Sequence, residues 1–146
     1  MKRIPFKEFK KIYSRVPRLC VEVILKDSRG ILLTRRTIEP ANGKWHTPGG
    51  TVIKGENLRH AVKRVAKEEL GLKIDVMNML GVIEYGSFRN HYSQDISIAF
   101  LVKSISKRPP MLDGHADKYG FFADVPANTI KEQKEFLVRE LGMKTG

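Results

Sequence analysis

The chain has 146 residues, 41 % of them hydrophobic, and a formal charge of +11 from 27 Lys and Arg against 16 Asp and Glu. That length gives one domain, 1–146, with one real core, and the composition excludes a disordered chain. No run of about 18 apolar residues excludes a membrane-spanning helix, and the single cysteine, Cys20, excludes an internal disulfide and reads as small buried filler in a cytoplasmic protein.

The chain begins with a basic segment, 1–16. It lacks the apolar stretch of a signal peptide, and Phe6, Phe9, Ile12 and Tyr13 predict an amphipathic helix over 5–13. Seven basic residues against Glu8 give the first 18 residues a net charge of +6. A solvated helix face accounts for this better than an RNA or other polyanion partner. No RNP-type aromatic motif, zinc knuckle or GxxG clamp accompanies the charge.

Leu19–Lys26 reads as an apolar strand, and Asp27-Ser28-Arg29-Gly30 as a tight turn into a second strand, Ile31–Arg35. Residues 37–44 form a loop, Trp45–Thr47 a short extended piece, and Pro48-Gly49-Gly50 a glycine-rich turn. Asn57–Leu70 is a helix closed by Gly71. Two long extended segments follow, Lys73–Tyr85 and Asp95–Ile105, joined by a polar loop over 86–94. Lys118–Ala123 is another strand, and a last helix starts near Asn128 with Ile130, Leu137 and Leu141 on one stripe. A sheet with a few helices makes the fold class α/β (α+β).

On a helical wheel Leu58, Ala61, Val62 and Val65 share the inward face, and Glu69 falls in the middle of it. A carboxylate there is expensive unless a cation or a donor satisfies it. The alternatives for Glu69 are a buried ion pair and a metal ligand. For Glu68 they are a metal ligand and a simple helix pair with Arg64. Gly49 and Gly50 free the upstream backbone for close approach, so that a carbonyl oxygen can join the carboxylates. Oxygen ligation of this kind suits Mg²⁺ or Mn²⁺, which keep waters and bind substrate phosphates.

Gly50, Glu56, Arg64, Glu68, Glu69 and Gly71 stand at the spacing of the Nudix box, G-x5-E-x7-R-E-U-x-E-E-x-G-U, here residues 50–72. The chain resembles that family over about residues 17–142, and the resemblance implies the Nudix α/β/α sandwich with a mixed sheet. Gly49 resembles the glycine whose carbonyl binds metal, Glu68 and Glu69 the metal-binding pair, and Arg64 the arginine that orients the glutamates. Glu56 resembles the box's structural acid. One fixed position departs: Val65 stands where many members carry a glutamate that binds metal or acts as base. Three consequences are open: fewer metal ions, a general base from elsewhere, or loss of catalysis.

Arg36-Thr37, Pro40-Ala41, Gly43, Trp45 and Pro48-Gly49-Gly50 resemble the corresponding stretch of GDP-mannose mannosyl hydrolases, which also carry an aliphatic residue at the Val65 position. That resemblance implies attack on an anomeric carbon, with a nucleoside diphosphate as leaving group. Glu22 matches an acid on the sugar side, and Arg36 an arginine near the diphosphate. Thr51 replaces an arginine of that subgroup, and the 86–94 loop is shorter. In the later loop, anchoring the register on Tyr119 puts His115 on the metal side and Ala116 at the base position. A one-residue gap makes His115 the base instead.

Other residues carry two readings each. His115 follows a turn and precedes a strand, as a site residue or a bystander. Asp95 opens a strand and either lines a substrate pocket or caps a turn. His91 and Tyr92 sit on the polar loop, with His91 better read as a bystander. Trp45 fits the core better than a base-stacking role. Arg35 and Arg36 alternate sides of a strand, so one of them faces a pocket.

The leading expectation is a Mg²⁺-dependent hydrolase of a nucleoside diphosphate linked to a sugar. The enzymatic alternative is attack on phosphorus, with His115 or Glu68 standing in for the missing acid. The other is a non-catalytic nucleotide- or RNA-binding module. The implied partner is a small nucleotide, and the resemblance adds a homodimer.

Overall fold

The apolar run Leu19–Leu25 has only Glu22 to interrupt it, as expected of a strand covered on both faces. In the computed structural model, which describes residues 3–88 and 90–146, that run is the central strand β1, Arg18–Asp27. Lys2 of the basic segment and Arg89 of the 86–94 loop lie outside the described residues. β1 pairs in parallel with β6 (Asp95–Ser104) along its length, from Arg18↔Asp95 to Leu25↔Val102. On its other side it pairs first with β4 (Gly49–Thr51) and then, at Lys26 and Asp27 alone, with β2 (Gly30–Arg36).

The sheet is therefore mixed and has two wings. β5 (Ile74–Glu84) pairs antiparallel with β6, while β3 (Trp45–His46) and β7 (Ala116–Phe122) pair antiparallel with β2. Where β1 leaves β2 and takes up β4, the wings part and a cavity opens.

Strand periodicity sends Val21, Val23 and Leu25 to one face and Glu22 and Ile24 to the other. The first set packs with Ala61, Val62, Val65, Ala66 and Leu70 of helix α2 (Leu58–Leu70). The second side holds Ile24, Ile31 and Leu33 against Phe136 and Leu137 of helix α3 (Lys131–Leu141). This is the expected sandwich of a mixed sheet between helices. Trp45 packs against the α3-side core, edge-on to Phe122 at 4.9 Å. Cys20 is buried, as expected of small filler.

α2 has both of its predicted ends. The Asn57 side chain accepts from the His60 amide at 2.8 Å, and Gly71 closes the helix at φ 65. α3 starts three residues later than the sequence predicts. Trp45 N–H donates to the Asn128 carbonyl (2.9 Å) and Ile130 N–H to the Trp45 carbonyl (3.0 Å), so β3 holds residues 128–130 extended. β7 starts two residues earlier than predicted, because a bulge at Arg35/Arg36 brings Ala116 into register.

The N-terminal helix α1 (Phe6–Tyr13) forms as predicted, yet none of its residues is buried. It leans on the 86–94 loop instead, with the Phe6 and Tyr92 rings edge to face at 6.2 Å and Lys10 over the Tyr92 ring at 5.8 Å. No helix among the described residues is long and apolar enough to cross a membrane.

Candidate active site

The cavity between the wings has a volume of about 440 Å³. Glu22, Arg36, Gly49, Glu69, Asp95 and His115 all line it, so six of the sequence-predicted site residues converge. Arg64 and Glu68 do not line it.

Gly49 sits opposite Glu22 in the β1–β4 pairing. A Cβ at Gly49 would fall 2.8 Å from the Val21 carbonyl oxygen and 3.1 Å from the Glu22 Cγ. Only glycine allows β4 to run this close to β1. Gly49 and Glu69 line the same cavity. Burial pushes the Glu69 carboxyl up to about 8, Asp113 adds to the shift, and the Gly49 amide and Arg36 oppose it. Glu69 is thus the inward acid that the helical wheel requires, in a place where a cation would repay its burial.

Glu22 is 3 % exposed and accepts three hydrogen bonds, from Thr47 Oγ1 (2.5 Å), Tyr85 OH (2.6 Å) and Gln133 Nε2 (2.9 Å). Gln133 Nε2 also donates to the Tyr85 oxygen at 2.8 Å, and Gln133 Oε1 accepts from the Thr47 amide at 2.8 Å. Burial pushes the Glu22 carboxyl up, while the Thr47 and Tyr85 hydroxyls pull it back.

Glu68 faces outward. Arg3 donates to both its oxygens at 2.5 and 2.6 Å, and Arg64 reaches it at 3.2 Å. Arg64 spends most of its fork on the loop before α2. Its Nε and Nη2 donate to Glu56 at 3.1 and 2.6 Å, and Nη2 donates to the Thr51 carbonyl at 2.8 Å. Glu56 also accepts from the Ile53 amide at 2.8 Å. These contacts tie the glycine-rich segment to the helix.

Val65 is 1 % exposed and belongs to the α2-side core. Its Cγ2 lies 3.1 Å from where a Cβ on Gly50 would stand. A longer, charged side chain has no room here. Val65→Glu is expected to cost about 2–5 kcal/mol of stability in the absence of a cation, the range for burying an unpaired polar or charged group. Urea denaturation measures it, and a variant as stable as the parent would refute the packing argument.

Arg36 points into the cavity, oriented by a 2.7 Å hydrogen bond from Nε to the Pro40 carbonyl. Arg35 points outward and pairs with Asp117. Asp95 meets the cavity but is held by Arg18 at 2.8 and 2.5 Å. Burial works to raise its carboxyl, and Arg18 outweighs burial and holds it below the usual range. Arg18 also donates from Nη1 to Thr51 Oγ1 at 2.6 Å, which brings a guanidinium beside Thr51. The His115 side chain is 67 % exposed at the cavity edge, its ring Nδ1 3.6 Å from Asp113 Oδ2. His91 and Tyr92 also line the cavity.

Sequence reasoning missed Gln133, Tyr85, Thr47, His46 and Arg18. One signal was present: Gln133 is a polar residue on the inward stripe of α3, between Ile130 and Leu137. Among the described residues no three His, Cys, Asp or Glu side chains converge. A cation at Glu69 would therefore draw on backbone oxygen, water and substrate as well. Glu69 with the Gly49 backbone, and Glu68 if it leaves Arg3, are hard oxygen donors that suit Mg²⁺.

The NUDIX domain family pattern matches residues 16–139 of this chain. Among curated proteins, it is 43 % identical over 83 residues to the low-salt glycan biosynthesis protein Agl8 of Haloferax volcanii, covering 57 % of this chain and 53 % of that one. It is 37 % identical over 89 residues to the ADP-ribose pyrophosphatase of Methanocaldococcus jannaschii, covering 61 % and 52 % respectively. The chain thus spans about half the length of these relatives. Among solved structures, a MutT NUDIX hydrolase from Burkholderia pseudomallei superposes with a TM-score of 0.78 at 25 % identity, covering 86 % of this chain and 98 % of that one.

Proposed function

This chain belongs to the NUDIX domain family, and we propose that it is a divalent-cation-dependent hydrolase of a nucleoside diphosphate linked to a sugar. One observation carries the reading: two carboxylates, the buried Glu22 and the half-buried Glu69, line the same cavity together with Gly49. The two are prepared differently. Glu69 faces the cavity with the positive charge of Arg36 acting on it, whereas Glu22 accepts three hydrogen bonds from neutral donors.

Glu69, Gly49 and Glu68 would hold the cation, Mg²⁺ or Mn²⁺, whose charge there would stabilise a departing diphosphate. Arg36, held by Pro40, supplies a fixed positive charge to the same group. Arg64 keeps the glycine segment and α2 in register and so places Glu69. The Glu22 network forms a rigid polar wall for the sugar. His115, exposed and, among the described residues, with Asp113 as its nearest ring partner at 3.6 Å, is the candidate base that activates water. The buried Val65 provides no acid of its own.

The relatives' names support a sugar-bearing nucleotide. One is named for ADP-ribose, itself a nucleoside diphosphate joined to a sugar, and another for glycan biosynthesis. The name ADP-ribose pyrophosphatase also favours a second reading, attack on phosphorus in the same class of substrate.

The test is turnover of UDP-glucose, GDP-mannose and ADP-ribose with Mg²⁺ in ¹⁸O water. Label in the free sugar marks attack on carbon, and label in a phosphate marks attack on phosphorus. Binding without turnover of any of the three overturns the hydrolase reading and leaves a nucleotide-binding module.

A further inference from the structure

His46 is a buried titratable side chain that neither the Glu69 side nor the Glu22 network uses. It stands in β3 opposite Thr34 of β2 and is 8 % exposed. Its Nδ1 lies 2.9 Å from the Thr34 carbonyl oxygen and 3.1 Å from Thr34 Oγ1. A carbonyl oxygen only accepts, so this network assigns the ring hydrogen to Nδ1. Nε2 is then a bare acceptor for as long as the ring is neutral. Burial, helped by the charge of Arg36, pushes the ring down to about 4, which keeps it neutral at physiological pH.

Nε2 has no protein donor among the described residues. Yet no sealed side-chain nitrogen or oxygen among them lacks a partner. Nε2 therefore keeps accessible surface, and the space that the ring borders is the cavity. The acceptor capacity nearby is largely spoken for. The two oxygens of Glu22 take three donors, and Gln133 Oε1 takes the Thr47 amide. His46 is an acceptor with capacity left over.

We propose that His46 Nε2 reads the substrate: it accepts a hydrogen bond from a neutral donor, a hydroxyl or an N–H, on the part that is not the diphosphate. The bare lone pair repels acceptor oxygens, so a phosphate or carboxylate at that position is turned away. Tautomer locking by Thr34 makes the preference fixed rather than adjustable. A ring that could flip its proton would accept either kind of group. The inference rests on the nucleotide-sugar reading above.

The measurement is long-range ¹H–¹⁵N NMR of histidine-labelled protein at neutral pH, free and with Mg²⁺ plus saturating UDP-glucose, GDP-mannose or ADP-ribose. The free protein is expected to show His46 protonated at Nδ1 and bare at Nε2. Binding is expected to move the Nε2 resonance to its hydrogen-bonded position and leave Nδ1 in place. A purely structural histidine would hold both resonances still. An Nε2–H tautomer in the free protein, or a bound nucleotide with an unmoved Nε2, overturns this inference alone. Failure of all three nucleotides to bind overturns the substrate reading and this inference with it. In kinetics, His46→Phe is expected to raise KM about two- to tenfold with kcat little changed, as removal of one uniform hydrogen bond requires. An unchanged KM would overturn the inference. Should that variant fail to fold, the NMR of the wild-type protein decides alone.

Discussion

Glu69→Gln is expected to lower kcat/KM by about 10²- to 10⁴-fold while leaving the cation-free protein at least as stable as the parent. The activity loss follows from the site. The glutamine keeps the shape of the side chain but removes the charge that would hold the cation, and metal-derived stabilisation of a transition state is worth several kcal/mol at about 1.4 kcal/mol per tenfold. The stability gain follows from burial. The Glu69 carboxyl is pushed up to about 8, so with no cation bound the folded state holds it largely protonated at neutral pH. An unfolded chain ionises it at the ordinary value of 4.5. Between those two values the unfolded state binds fewer protons than the folded one. The wild-type protein should therefore lose stability as pH rises from 4.5 toward 8, and the glutamine variant should lose less. Urea denaturation at both ends of that window, without added metal, measures this. Mn²⁺ calorimetry and steady-state kinetics measure the rest. Near wild-type activity in the variant would mean that the cation binds elsewhere.

Glu56→Gln should do the opposite: destabilise strongly and, at saturating metal, leave the chemical step less affected than Glu69→Gln does. The Glu56 side chain has no accessible surface and is the hub for Arg64, the Ile53 amide and His60. Arg64, itself 13 % exposed, would be left half-paired. Removing one partner of a buried pair costs about 3–5 kcal/mol. The loop around Glu56 lies near the surface, so solvent repays part of that and about 2–3 kcal/mol is expected. The same pair predicts an acid limb. Arg64 holds the Glu56 carboxyl down to about 2 from an ordinary 4.5. Its contribution is complete above 4.5 and disappears as pH falls toward 2. His46 adds to this limb from a higher starting point, because it must charge on unfolding between 6.5 and about 4. Thermal melts from pH 7 to pH 3 should show a flatter acid limb in Glu56→Gln than in the parent. Parallel limbs would refute the assignment.

Features fixed by neighbours in the chain were legible in the sequence. Asn57 and Gly71 bound α2 because capping is local chemistry, and the inward placement of Glu69 follows from helical period alone. That only one of Arg35 and Arg36 can face the cavity follows from strand alternation, and the extended run beside the glycine-rich turn already placed Trp45 in the core, though which arginine turns inward did not follow. What depends on distant partners was not legible. No local pattern says that Arg3 will grip Glu68 from 65 positions away, or that Gln133 will complete the Glu22 network. The late start of α3 has the same origin, since its 128–130 lead-in is pinned by Trp45. His46 shows the limit most clearly. Its residue type was in view, but its tautomer is decided by a carbonyl on another strand.

The long reach of the Glu22 network also bears on how the molecule assembles. Glu22 and Gln133 are 111 positions apart, and β1 cannot pair with β6 until residue 95 has joined it. Contacts of such span are reached only after large loops have closed, and they dominate the slow part of folding. A chain emerging from the ribosome can form the β1–β2 turn and α2 early, because both are local. Glu22 then waits, its carboxylate open to water, until the last helix arrives. The cavity is therefore completed only when α3 docks, and ligand binding would report that docking.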